Sequence, residues 1–197
     1  MGPVHGLTLI KEALAPDSRF EEKPVDDRLR WRGKILEART LDVELPDGSS
    51  GYREVVRHHG GAGVVALDDG GRVCLVRQYR VAIGRMTLEI PAGKLEPGEA
   101  GASCAARELV EETGLIAGRL EPLVCVLGSP GFTDEHTEVY LARDLDQGDA
   151  SPDEGEFVEC VWVPLGDAVE AALRGLIQDG KTVSGVLAAN ALLASGR

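Results

Sequence analysis

A mixed β-sheet flanked by helices, an α+β arrangement, is the fold class this sequence predicts. Three observations carry it: strand-like alternation dominates the first half, one amphipathic helix sits near residues 100–113, and two helical segments close the chain. Strand and helix do not alternate regularly, which argues against a doubly wound parallel sheet.

The first thirty or so residues are charged, carry Pro3, Pro16 and Pro24, and read as an irregular arm. "ILEARTLDVELPDG" then alternates apolar and polar residues into a Pro-Asp-Gly turn and "GYREVVRHHG" resumes in extended style, which predicts a hairpin. "AGVVALDDGGRVCLVRQYR" repeats that pattern, and "TLEIPAGKLEPGE" leaves a short strand for a loop punctuated by Gly and Pro. In the helix that follows, Ala102, Ala105, Ala106, Leu109 and Thr113 fall on one face and Arg107, Glu108, Glu111 and Glu112 on the other. "LEPLVCVL", "HTEVYLARDL" and "FVECVWVPL" read as strands, and "GDAVEAALRG" and "TVSGVLAANALLAS" as helices.

A length of 197 residues fits one domain with a modest extension, and 43% hydrophobic residues suffice for a core. A net charge of −12 is the wrong sign for a nonspecific nucleic-acid or acidic-membrane binder. Cys74, Cys104, Cys125 and Cys160 are scattered without a C-x-x-C pair, so reduced thiols in or near the core are expected. The start lacks a basic segment followed by an apolar one and no apolar run approaches a membrane span, so a cytoplasmic protein is expected.

Two short motifs are decoys. "GLIQDGKT" (Gly175 to Thr182) matches the phosphate-loop expression, but it follows a helical segment instead of a buried strand and reads as a helix stop and a turn. "GAGVVA" (Gly61 to Ala66) matches a dinucleotide-binding expression, yet strand residues follow where a helix should open.

The segment "RELVEETG" poses a real question. It crowds Glu108, Glu111 and Glu112 into a last helical turn before Gly114, where unpaired carbonyls disfavour acids by about 0.3–1 kcal/mol. Glu108 and Glu112 also stand at a repulsive i, i+4 spacing. The run "GKLEPGEAGASCAARELVEETGL" fills all nine constrained positions, over twenty-three residues, of the pattern G-x5-E-x7-R-E-U-x-E-E-x-G-U, where U is aliphatic. The chain thus resembles the Nudix hydrolase superfamily. That resemblance implies an α/β/α sandwich with a mixed sheet over residues 59–197 and an N-terminal arm and β-hairpin extension over residues 1–58.

A divalent cation answers the question, because Mg2+, or Mn2+ in its place, prefers hard oxygen ligands and turns the repulsion between glutamates into shared attraction. The resemblance implies Glu108, Glu112 and the Ala92 carbonyl as metal ligands, with Glu111 taking part directly or through water. Glu99 and Arg107 are expected to pair and, with Gly93 and Gly114, to shape the box. The reaction implied is hydrolysis of a nucleoside diphosphate linked to another moiety, with a carboxylate as base. In "PDEGEFVE", Glu156 is the expected ligand or base and Glu154 the competing base; an exposed acidic loop is the alternative for both.

Flanking segments narrow the class. "SPGFTDE" places Pro130 fifteen residues past Leu115, and with "VRQYR", "LEIPAGKLE" and "EFVECVW" it resembles the ADP-ribose pyrophosphatase group. Similar enzymes place substrate-contacting arginines at the positions of Arg53 and Arg80. Lys34 stands where relatives have an adenine-stacking aromatic, so Trp31 or Tyr52 would have to substitute. The same resemblance implies a homodimer formed through the N-terminal hairpin, acting on a small-molecule nucleotide sugar, with neither nucleic acid nor membrane as partner. The alternatives are a Nudix enzyme for GDP-mannose, NADH or flavin dinucleotide, a noncatalytic nucleotide sensor, and, from Lys181, a phosphate-loop kinase.

Overall fold

The computed structural model describes residues 3–196, which pack as two units, Met1–Arg57 and His58–Arg197. The first unit holds helix α1 (Pro3–Ala13) and a three-stranded sheet of β1 (Lys23–Arg32), β2 (Leu36–Glu44) and β3 (Ser50–His58), in that order. The expected hairpin is β2–β3, closed at Pro46-Asp47-Gly48, where the Gly48 N–H donates to the Leu45 carbonyl.

The irregular arm is a correction: it contains both α1 and β1. All ten residues of β1 are exposed, Val25, Leu29 and Trp31 among them, so its apolar side chains pack on no core, and two register irregularities against β2 interrupt its alternation. Its registration on β2 comes from charge, with Arg28 donating to Asp42 at 2.5 Å and Arg39 to Asp27 at 2.7 Å. Charged residues on an edge strand also discourage further strand addition.

The second unit is built on a seven-stranded sheet. Its strands are β4 (Gly61–Leu67), β5 (Arg72–Arg80), β6 (Arg85–Glu89), β7 (Ala92–Lys94), β8 (Leu115–Leu127), β9 (His136–Gln147) and β10 (Glu159–Pro164). The central path runs β10-β5-β4-β9-β8, with β6 on β5 and β7 on β4. β4 and β9 are parallel and the other pairs antiparallel, so the sheet is mixed as expected.

Helix α2 (Gly101–Thr113) covers one face and helices α3 (Leu165–Leu173) and α4 (Gly180–Ala194) the other. β4 lies between them and is buried at every position, which is why "GAGVVAL" reads as a continuous apolar run. Val65 and Leu67 pack toward α3 and α4, Ala62, Val64 and Ala66 toward α2. Each such valine or leucine contributes about 1.5–3 kcal/mol by leaving water.

Two sequence expectations shift. Ala102 and Ala106 are exposed, and the buried face of α2 is Gly101, Cys104, Ala105, Leu109, Glu112 and Thr113. The helix is rotated so that Glu112 points inward, because that side chain has a backbone partner in the loop beneath. Of the four cysteines, all free, only Cys74 and Cys104 are buried; Cys125 and Cys160 are exposed. The phosphate-loop match joins α3 to α4: Gly175 takes φ +70 after the first helix, and Asp179 caps the second by accepting from the Thr182 N–H at 3.0 Å.

Candidate active site

The end of α2 carries the box glutamates, and its negative pole is dealt with locally. Gly114 adopts φ +73 and returns its N–H to the Val110 carbonyl at 2.8 Å. The Ser151 N–H donates to the Glu111 carbonyl at 3.0 Å, the Cys160 thiol to that of Glu112 at 3.6 Å, and the Gln147 amide to that of Thr113 at 3.3 Å. Each of the last four carbonyls therefore has a donor, which removes much of the penalty on acids there. A side chain at Gly114 would also strike the Gly148 carbonyl, 2.6 Å from its Cβ.

The carboxylates themselves are not neutralised in the same way. Arg107 pairs bidentately with Glu99 at 3.0 Å and reaches Glu108 at 2.8 Å and Glu111 at 2.9 Å. It holds the Glu99 carboxyl down at about 2. Glu112 lies outside that cluster, is 6% exposed, and accepts from the Ala92 N–H at 3.0 Å. Burial first, then the charges of Glu108 and Glu156, push Glu112 up to about 7, against the pull of the Ala92 N–H and Lys181. Burial raises Glu108 as well, despite Arg107.

The loop before α2 is shaped to receive these groups. β7 brings Ala92 and Gly93 over the helix, and a Cβ on Gly93 would fall 1.8 Å from the Glu108 Oε1. Gly93 is thus required for Glu108 to lie against the backbone. Glu154 and Glu156 are both exposed on the loop before β10, and Glu156 is close enough for its charge to act on both Glu108 and Glu112.

The donor set suits a hard divalent cation: buried Glu112 and part-buried Glu108, both lacking full compensation, a backbone segment against them, and a third carboxylate nearby. Among the described residues no three His, Cys, Asp or Glu side chains form a closed cage, so water and a backbone carbonyl would have to complete a coordination shell.

A groove of about 1020 Å³ is lined by Arg77, Arg80, Arg85, Glu89, Glu135 and Asp179 among others; the box glutamates do not line it, and its Arg80 is near enough for the charge of Glu112 to act on it. Arg80 is 44% exposed there and forks onto Glu89, Nε to Oε1 and Nη2 to Oε2, both at 2.8 Å. Glu89, on β6, is 2% exposed and was not singled out from the sequence. The signal that could have found it is "LEIPAGK", an acid where an apolar strand enters the box loop. Pro130 is exposed on the loop between β8 and β9. Arg53 belongs to the first unit, on β3, and pairs there with Glu22. In that unit Trp31 and Tyr52 are both more than half exposed, and the Trp31 ring lies over Gly33.

Comparison with known proteins agrees with this geometry. The NUDIX domain model matches residues 57–184. The chain is 41% identical to an ADP-ribose pyrophosphatase of Bacillus subtilis over 83% of its length and 89% of the relative's. It is 40% identical to an ADP-ribose pyrophosphatase of Mycobacterium tuberculosis over 81% of its length and 79% of the relative's. A crystal structure described as an ADP compounds hydrolase superimposes with a TM-score of 0.80 over 92% of this chain and 98% of its own; at 22% identity it speaks for the fold. With a family model matching most of its length and two relatives near 40% identity, the chain belongs to the Nudix family.

Proposed function

We propose that this protein hydrolyses the diphosphate link of ADP-ribose, or of a related nucleoside diphosphate sugar, to AMP and a sugar phosphate. The observation that carries the reading is the pair of incompletely compensated carboxylates, buried Glu112 and part-buried Glu108, with Arg80 of an arginine-lined groove near enough for its charge to meet that of Glu112. The names of the two relatives near 40% identity support the ADP-ribose assignment.

Glu108, Glu112, the Ala92 carbonyl and Glu156 would hold the metal, with Mg2+ favoured and Mn2+ an alternative, and Glu111 taking part directly or through water. Such an ion, once bound, polarises the diphosphate and acidifies an attacking water. Arg80 offers guanidinium donors to phosphate oxygens from the groove wall. Glu156 is the better placed of the two loop acids to serve as ligand or to take the water's proton, because its charge acts on both box glutamates. Glu99, Arg107, Gly93 and Gly114 shape the site, and Pro130 belongs to the substrate-facing loop.

The N-terminal extension, residues 1–58, is proposed to pair with a second copy and to contribute Arg53 and an aromatic, Trp31 or Tyr52, to substrate binding. Its support is the set of large apolar side chains left exposed on this small sheet, Val25, Leu29, Trp31 and Tyr52. Four free thiols support a reducing, cytoplasmic setting.

The test is a panel of ADP-ribose, GDP-mannose, NADH, a diadenosine polyphosphate and flavin dinucleotide, each with Mg2+ and with Mn2+, products identified by mass. AMP and ribose phosphate from ADP-ribose as the fastest reaction is the expected result. Preference for another member reassigns the substrate, and inertness toward all of them overturns the hydrolase reading.

A further inference from the structure

Glu89 and Lys181 have no part in the mechanism above, yet Glu89 is buried and Lys181 half-buried against it. The four acceptor positions of the Glu89 carboxylate are all taken. Oε1 receives Arg80 Nε at 2.8 Å and the Thr87 hydroxyl at 2.7 Å; Oε2 receives Arg80 Nη2 at 2.8 Å and the Lys181 ammonium. Lys181 is 16% exposed and also pairs with Asp179 at 3.0 Å.

A carboxylate saturated in this way fixes the plane of the Arg80 guanidinium. The fork uses Nε and Nη2 and leaves Nη1 unengaged among the described residues, on a side chain that lines the groove. Arg80 alone would leave Glu89 one charge-assisted donor short in a buried position, free to turn toward other partners. Lys181, reaching across from α4, fills that position and so pins the carboxylate that pins the arginine.

The same corner anchors the loop leading to the box. The Ile90 N–H donates to the Thr182 hydroxyl at 2.9 Å, the Pro91 carbonyl accepts from the Val64 N–H at 2.8 Å, and the Ala92 N–H donates to Glu112 at 3.0 Å. Four consecutive residues, Glu89 to Ala92, are therefore fastened in turn to β5 and α4, to α4, to β4 and to α2.

We propose that Glu89 and Lys181 are positioning residues for diphosphate binding: Lys181 locks Glu89, and Glu89 presents the free edge of Arg80 to a phosphate in the groove. This rests on the proposed function for the identity of the anion, though not for its charge. "GKT" at the start of α4 thus gains a role unlike that of a phosphate loop, since its lysine reaches the ligand only through a carboxylate and an arginine.

The experiment is calorimetric titration of inorganic pyrophosphate into metal-free protein, for wild type, Lys181→Met, Lys181→Arg, Arg80→Ala and the Arg80→Ala/Lys181→Met pair. Lys181→Met should weaken binding about tenfold, the cost of one displaced charge-assisted hydrogen bond. Lys181→Arg should restore most of it, and Lys181→Met should cost nothing further in the Arg80→Ala background. A merely structural lysine would shift thermal stability and weaken binding equally in both backgrounds. That result, an unaffected Lys181→Met, or a wild type that binds no pyrophosphate overturns the proposal. If Lys181→Met fails to fold, Glu89→Gln carries the same prediction of loss and non-additivity. A wild type that shows this coupling but, with Mg2+ or Mn2+ added, hydrolyses no member of the substrate panel would sink the proposed function and leave the positioning role standing.

Discussion

Glu89 and Glu112 are two buried glutamates of the same unit that the fold treats in opposite ways. Glu89 is 2% exposed and Glu112 6%, so both are withdrawn from water to a similar extent. Burial would raise either carboxyl. At Glu89 the hydrogen bonds of Arg80, the charge and hydrogen bond of Lys181 and the Thr87 hydroxyl outweigh it and hold the group at about 2. At Glu112 burial wins, reinforced by Glu108 and Glu156, and the group rises to about 7. The proposed metal site thus falls at the carboxylate given a single backbone N–H, and not at the one supplied with two cations.

The sharpest way to break that contrast is Glu112→Gln. Turnover should fall by about a thousandfold, the upper range for losing one preorganised electrostatic group. Metal-free thermal stability should hold or rise, because a poorly compensated buried charge has gone. A variant with near wild-type turnover would remove Glu112 from the chemistry.

Glu89 should behave in the reverse sense. Glu89→Leu strands Lys181 and Arg80 and should cost about 3 kcal/mol in denaturant unfolding, short of the largest values for broken buried pairs because Arg80 is partly exposed. The pH dependence follows from the lowered carboxyl. Since the native group sits at about 2 and an unfolded glutamate near 4.5, the stabilisation is fully present above 4.5 and is lost as pH falls toward 2. It is on the order of 3 kcal/mol. Glu89→Gln should flatten that acid limb; an unchanged limb would assign it to other carboxylates.

The smallest effect separates the loop acids. Glu156→Gln should lower kcat about a hundredfold, the low end for a general base or a lost ligand, with Glu154→Gln close to wild type. Equal losses would mean that proximity to Glu108 and Glu112 does not decide which acid works.

The same contrast shows what could be seen in the sequence. The box stood out because its nine positions are local, and the two-faced sheet because β4 is an unbroken apolar run while other strands alternate. Local periodicity failed where the stabilising partner is remote. β1 is held by the Arg28 and Arg39 pairs, and its Val25, Leu29 and Trp31 stay exposed on an irregular register; Glu112 turns inward because Ala92, twenty residues earlier, offers its N–H. Glu89 was invisible for the same reason, since Lys181 lies ninety-two residues away and had to be read first as part of a decoy.

The most direct test of the central claim is a Mn2+ titration followed by electron paramagnetic resonance on metal-free wild type, Glu112→Gln and Glu89→Gln. Tight binding by wild type and by Glu89→Gln, with binding lost in Glu112→Gln, is the predicted pattern. Unimpaired Mn2+ binding by Glu112→Gln would contradict the claim that this carboxylate was left uncompensated in order to hold a cation.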